Sequence, residues 1–302
     1  MIDFSKLQSL TIPEGLVTQI ADENGNILYK LEAEGGGAVV LQVEKITSNT
    51  YAGETTYTGE EFILLDIYPK TNGTVTVTYG GLTKTITDTS GAEEPNAQRV
   101  YFGTFNGVSD EVETPASGEL IIEGEFYAFG CGSFQNGSKN TNIGYSNCIT
   151  AVIDWGNTKV IPDHAFYYCN NVDFSVIPEG VTSIGASAFS MDYDTTNGWH
   201  TPITSVTIPS TIESIGNYAF ASSFTFMVST TNYTEYRSYV KEVKILATTP
   251  PVLGTHVWDT YNKDTMSYAA GYPNIIVPKG CVDIYKAADG WGKYANYITE
   301  AE

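Results

Sequence analysis

Ile203-Thr-Ser-Val-Thr-Ile208-Pro209, followed by Ile215-Gly-Asn-Tyr-Ala-Phe220, is the stretch that decides how this 302-residue chain folds. Val206 and Ile208 alternate with polar residues, as a short strand with one buried face requires, and Pro209 ends the strand because it has no N–H to donate. The hexapeptide recurs as Ile161-Pro-Asp-His-Ala-Phe166 and Ile184-Gly-Ala-Ser-Ala-Phe189, then in altered form as Leu253-Gly-Thr-His-Val-Trp258. A shift of 54 residues lays Ile149, Val152, Ile161 and Phe166 on Ile203, Val206, Ile215 and Phe220, while Val240, Val243 and Ile245 echo the strand ahead of the fourth copy. Self-similarity of this kind marks a repeat array.

Each part of the unit has a physical role. Gly185 and Gly216 are expected to allow a tight turn, Ala188 and Ala219 to let the next segment approach, and the ring at the end of the hexapeptide to enter the interior. One unit cannot bury such a ring alone, so the units are expected to stack into a solenoid. Its core is Ile161, Phe166, Ile184, Phe189, Ile208, Ile215, Phe220, Leu253 and Trp258. The stretch from Val172 to Ile177 is out of register by one residue, which suggests a bulge.

Ile203 to Phe220, with Val181-Thr-Ser-Ile-Gly-Ala-Ser-Ala-Phe189, resembles the BspA-like leucine-rich repeat of bacterial surface proteins, whose consensus runs close to L-T-x-V-x-I-P-x-x-V-x-x-I-G-x-x-A-F. The closing Ile275-Ile-Val-Pro-Lys-Gly280 and Val282 to Trp291 is similar to the terminal segment that often ends such arrays. The resemblance covers residues 149–300. It implies a non-enzymatic adhesion or interaction protein on a cell surface, facing a host or bacterial surface protein or glycan.

The N-terminal half has another pattern. Leu7 to Ile12, Leu16 to Ile20 and Ile27 to Leu31 are short apolar stretches, and Asn24-Gly25 between the last two signals a hairpin. Glu34-Gly-Gly-Gly37 reads as a flexible linker. Beyond it, Val39 to Ile46, Glu61 to Tyr68, Thr74 to Tyr79, Leu82 to Thr87, Arg99 to Phe105 and Glu119 to Phe126 are β-rich runs separated by turn signals such as Gly80-Gly81. The fold class is therefore mainly β: a small N-terminal element over 1–34, a sandwich of immunoglobulin-like kind or else one split at Ser90 to Pro95 over 35–129, and the repeats as a solenoid over 130–302. Phe126 to Ala151 is expected to be an irregular cap where the repeats begin.

Composition excludes several functions. With 35 acidic against 15 basic side chains, the net charge of −20 repels nucleic acid and anionic lipid surfaces. Residues 1–150 hold 20 acids and 7 bases, so the charge belongs mainly to the β-rich half. No apolar run reaches the ~18 residues that span a bilayer, and the start of the chain shows no secretory signal. Cys131, Cys148, Cys169 and Cys281 are too far apart for paired-cysteine motifs and read as mostly buried thiols, with a Cys131–Cys148 disulfide as the alternative.

No nucleophile elbow, phosphate loop, dinucleotide fingerprint or zinc-protease motif is present, so no catalytic residue, metal ligand or cofactor is expected. His164 and His256 occupy the same position of the hexapeptide and read as structural. Asp192-Tyr-Asp194 and Asp110-Glu-Val-Glu113 leave two readings open, a hard-cation site or a solvated acidic turn.

The repeat spacing is more informative. Phe166 to Phe189 is 23 residues, Phe189 to Phe220 is 31 and Phe220 to Trp258 is 38, which leaves inserts of 8 and 15 residues after the ring. Equivalent loops of a repeat array leave from one edge and often form its binding face. The first insert holds Met191, Tyr193, Trp199 and His200; the second holds Phe224, Phe226, Met227, Tyr233, Tyr236 and Tyr239; a third stretch adds Tyr261, Met266, Tyr268 and Tyr272. Aromatics among Ser, Thr and Asn suit adaptable recognition of proteins and sugars, although the same rings would also cover the array edge as a local cluster. A second reading is a bacteriophage virion component, a tail fibre or receptor-binding protein with homo-oligomeric assembly. It rests on Leu7 to Gly15 and Asn24 to Leu28, which resemble leader segments of prophage structural proteins.

Overall fold

The structure is a computed structural model that describes residues 19–21, 27–30, 37–47, 60–88, 97–105, 107–130, 148–166, 172, 174–190, 203–228, 231–238, 240–259 and 272–302. Residues 1–37 and 38–302 form two compact units. In the first, β1 (Gln19–Ala21) and β2 (Ile27–Lys30) pair antiparallel, as the Asn-Gly between them predicts.

The second unit opens with two five-stranded sheets. One runs in the order β12 (Ile149–Trp155), β3 (Val39–Glu44), β10 (Ser117–Gly124), β6 (Thr74–Tyr79), β7 (Leu82–Thr87). The other runs β11 (Phe126–Gly130), β5 (Glu61–Pro69), β8 (Gln98–Phe105), β9 (Val108–Ser109), with β4 (Ile46–Thr47) also beside β5. Alternation in Val39, Leu41, Val43 and in Val75, Val77, Tyr79 buries one face of the first sheet against Ile63, Leu65, Ile67 and Phe102 of the second. Tyr79 and Phe102 meet edge to face across the interface, centroids 5.7 Å apart. Gly80 and Gly81, with φ of 58° and 83°, make the tight turn between β6 and β7 that needs two left-handed residues.

The pairing is not that of an immunoglobulin domain. Taken in chain order, the β5–β8 and β6–β10 neighbours fit that fold, but β3 lies beside β10 and β11 beside β5, so the first and last strands have exchanged sheets. The expected irregular cap also proves to be strand at both ends. β11 leaves Gly124, at φ 114°, for the opposite sheet, and β12 pairs antiparallel with β3. Ile149 and Val152, mapped by sequence onto a repeat strand, therefore belong to the sandwich. A repeat-like alternation suits either use of a half-buried strand, and here β3 offers the open edge.

The repeats form two parallel ladders. Val160–Ile161 (β13), Ser183–Ile184 (β14), Ser214–Ile215 (β16) and Val252–Leu253 (β20) make the first. Ser205–Ile208 (β15), Glu242–Ile245 (β19), Asn274–Val277 (β21) and Ile298–Glu300 (β22) make the second. Ahead of the second hexapeptide an isolated bridge, Val176 to Thr207, joins this ladder; Val172, Phe174 and Ile177 are buried while Val176 is exposed, which is the one-residue slip read from the sequence. Between the ladders lie Ile161, Phe166, Ile184, Phe189, Ile208, Ile215, Phe220 and Trp258, all buried, with Leu253 partly buried against them.

The rings form a column. Phe166 stacks on Phe189 and Phe220 on Trp258 with planes within 14° of parallel. Phe129 of β11 and Trp155 of β12 close the near end edge to face on Phe166. At the far end Trp291 and Tyr294 close on Trp258. They come from the terminal segment, α1 (Val282–Ala287) and a 3-10 helix (Gly292–Tyr297). That segment is fastened by Tyr285 Oη donating to Ala247 O at 2.7 Å and Trp291 Nε1 donating to Pro251 O at 3.0 Å.

Candidate recognition surface of the repeats

The hexapeptide turn explains where the inserts leave the array. Its fourth residue is left-handed in every copy: His164, Ser187, Tyr218 and His256 have φ of 59°, 53°, 56° and 55°. That conformation turns the chain so that the fourth and sixth N–H groups donate to the next copy, His164 to Ala186 O and Phe166 to Ala188 O, then Ser187 to Asn217 O and Phe189 to Ala219 O. The second residue meets a different demand from the one expected. Gly185, Gly216 and Gly254 are not left-handed; a Cβ on them would lie 2.4–2.5 Å from the backbone nitrogen of Asp163, Ala186 or Asn217 in the preceding copy. The first copy has no preceding hexapeptide, and there Pro162 stands in place of glycine. Asp163 and Asn217 complete the joints by accepting the N–H of Ala186 and of Thr255.

Two residues after Phe220 the chain enters a hairpin, β17 (Ser222–Val228) and β18 (Thr231–Arg237), paired antiparallel. This is the second insert. Its register sets Phe226 opposite Tyr233, Phe224 opposite Glu235 and Tyr236 opposite Ser223. Four of the aromatic candidates thus belong to one two-stranded element. Tyr193, Trp199 and His200 of the first insert, Tyr239, and Tyr261 and Tyr268 of the third lie outside the described residues.

At the root of the third insert the structure holds a network that sequence reasoning missed. Asp259, almost fully buried, accepts hydrogen bonds on Oδ1 from Lys293 Nζ at 2.8 Å and Tyr294 Oη at 3.0 Å, and its Oδ2 meets His256 Nδ1. The His256 ring stacks on Tyr218, centroids 5.3 Å apart. The group ties the last hexapeptide to the terminal segment. Burial, then the Asp259 charge, pushes the Tyr294 hydroxyl far above its ordinary value, and Tyr272 is raised for the same reasons. Burial moves the His164 imidazole below its ordinary value against the opposing pull of Asp163. Both histidines hold the left-handed position of the turn, the position they share in the hexapeptide. Asp259 itself carried no signal, because nothing periodic distinguishes it from a surface acid.

A cleft of about 600 Å³ lies along the array between Ser210–Glu213 and Ala247–Val252, lined largely by threonine and proline. Cys148 and Cys281 are buried, and the Cys148 Sγ lies 3.3 Å from Leu64 O; Cys131 and Cys169 lie outside the described residues. Among the described residues no group of three or more His, Cys, Asp or Glu side chains is placed to hold a metal ion.

A stack of parallel turns sharing one hexapeptide and one column of rings defines a repeat protein. Residues 104–226 and 199–240 match the family model of the BspA type leucine-rich repeat region, in six copies. Residues 104–240 are thus similar to BspA type leucine-rich repeats. The match starts at Thr104, inside the sandwich, and ends before the fourth hexapeptide. No curated protein matches the chain.

Proposed function

We propose that this chain is a non-enzymatic interaction or adhesion protein of a bacterial cell surface, with its repeats stacked as a solenoid that recognises a protein or glycan through the inserts. The observation that carries this reading is the β17–β18 hairpin, a strand pair that starts two residues after the repeat ring and holds Phe224, Phe226, Tyr233 and Tyr236 in fixed register. Aromatic side chains give contact area at low entropic cost. The first and third inserts leave the chain after the equivalent rings, Phe189 and Trp258. In this reading the β-rich N-terminal half, with β12 as its last strand, forms a spacer and the repeats that follow form the recognition end. No helix among the described residues is long and apolar enough to cross a membrane. Binding of the labelled full chain to printed arrays of glycans and extracellular proteins tests the proposal: saturable binding to a defined subset supports it, and uniform background on every spot counts against it.

The virion reading is favoured by one observation, the separate compact unit of residues 1–37 at the segment whose sequence resembles prophage leaders. Light scattering on the full chain separates the two. A trimer that becomes a monomer on removal of residues 1–34 supports a fibre, and a monomer in both cases supports the surface protein.

A further inference from the structure

β7 and β9 stand last in the strand order of the two sandwich sheets. Lys84 of β7 pairs in register with Val77, which is fully buried, so the lysine shares the inward face with Leu82 and Ile86, both packed on the core. From there its ammonium reaches the second sheet. It donates to Asp110 Oδ1 at 2.6 Å and to Tyr101 O at 2.5 Å, and the rings of Tyr101 and Phe102 lie with centroids 4.1 and 5.0 Å from it. The lysine side chain keeps 25% of its surface exposed and that of Asp110 only 8%.

Asp110 directly follows β9, and of the acids in the run Asp110-Glu-Val-Glu113 it is the one that is not exposed. Its own N–H donates to Gly103 O at 3.1 Å, and its Oδ2 accepts the Gly103 N–H at 2.8 Å. Backbone and carboxyl are thus both fixed on one residue of β8. The outer contacts of this ion pair are those that a secondary amide requires. Such an amide keeps one N–H to donate and one carbonyl oxygen to accept. Tyr101 O already accepts from Nζ, and the Gly103 N–H already donates to Oδ2.

We propose that the folded chain joins Lys84 Nζ to Asp110 Cγ in an amide bond. A proton first passes from the ammonium to Oδ1 along the hydrogen bond between them, which leaves a neutral amine and a carboxylic acid, the pair that a partly desolvated site favours over two charges. The Nζ lone pair then attacks Cγ, at no cost of bringing the two groups together. The Gly103 N–H stabilises the negative charge that gathers on Oδ2. Oδ1, carrying its proton, takes a second proton from Nζ and departs as water into the cleft of about 440 Å³ that Gly103 and Asp110 line. One C–N bond replaces one C–O bond, nothing is oxidised or reduced, and no other reactant enters. The bond fastens the last strand of one sheet to the chain leaving the last strand of the other, and it does not depend on recognition by the repeat inserts.

Mass spectrometry of the full chain, denatured and reduced, tests it. The parent is expected to weigh one water less than its sequence requires. Trypsin is expected to leave the chain uncut after Lys84 and to release a branched peptide in which Lys84 and Asp110 are joined. Lys84→Arg keeps the positive charge but removes the amine nucleophile, and Asp110→Ala removes the carboxyl; both variants are expected at the full mass of their sequences. A parent of full mass that trypsin cuts after Lys84 overturns the proposal, and so does a missing water that persists in Lys84→Arg.

Discussion

The ring of Phe189 lies over that of Phe220 with centroids 5.1 Å apart and planes 13° from parallel. Phe189 also stacks on Phe166 at 5.5 Å, so it has a parallel ring on each side. Phe189→Ala should open a cavity that neither neighbour can fill, because both are held by the backbone joints of their own turns. The expected loss is about 3–5 kcal/mol in urea unfolding. A loss below about 1 kcal/mol would mean that the column is not the core of the array.

Gly216 tests the spacing between copies. A Cβ there would meet Ala186 N at 2.5 Å and Gly185 C at 2.7 Å, both backbone atoms that cannot swing away. Gly216→Ala should therefore push two copies apart and destabilise by about 1–3 kcal/mol. Gly292→Ala, where nothing lies within 4 Å, should stay within about 0.5 kcal/mol of the parent. Similar losses at both positions would show that chain flexibility rather than contact decides.

The left-handed turn gives a prediction of opposite sign. Ser187 holds φ 53° with a side chain that disfavours it, and its N–H bond to Asn217 O is made by backbone alone. Ser187→Gly should stabilise by about 0.5–1 kcal/mol, since glycine enters this region freely and the bond is kept. Destabilisation measured by thermal unfolding would assign the serine side chain a structural role.

These positions also show what the sequence makes legible. The rings, the alternating strand residues and the slip at Val176 are periodic, and periodicity reports burial directly, so the array core and most sandwich strands can be read from the chain. Which strands become neighbours cannot. The exchange of β3 and β11 between sheets depends on where Gly124 redirects the chain, and β12 carries a repeat-like pattern that suits either pairing. The glycine of the hexapeptide is visible as a requirement, but its cause is contact with the preceding copy, a through-space fact that local turn chemistry does not supply. The Asp259 network is likewise tertiary, since a single acid has no pattern to betray it.

Asp66 sets a pH dependence in the sandwich. It is buried on β5, with Arg99 Nε donating to its Oδ1 at 3.1 Å. Burial raises its pKa above the ordinary 3.8 by more than Arg99 lowers it. The native state thus holds the proton more tightly than the unfolded chain, and this residue's contribution to stability falls as pH rises from 3.8 through the raised value. Asp66→Asn does not titrate. The stability of the parent relative to this variant should be greatest near ~pH 3 and should shrink by ~pH 7 in urea titrations. A difference that grows with pH would show that the Arg99 pair outweighs burial.

The central claim is that the inserts recognise a partner rather than hold the array together. It is tested most directly by comparing the parent with the triple variant Trp199→Ala, Tyr233→Ala, Tyr236→Ala, measuring melting temperature and binding to those array spots that retain the parent. A melting temperature within about 2 °C of the parent, with a loss of binding of about tenfold or more, is the expected result. Undiminished binding, or a collapse of the melting temperature, would contradict it.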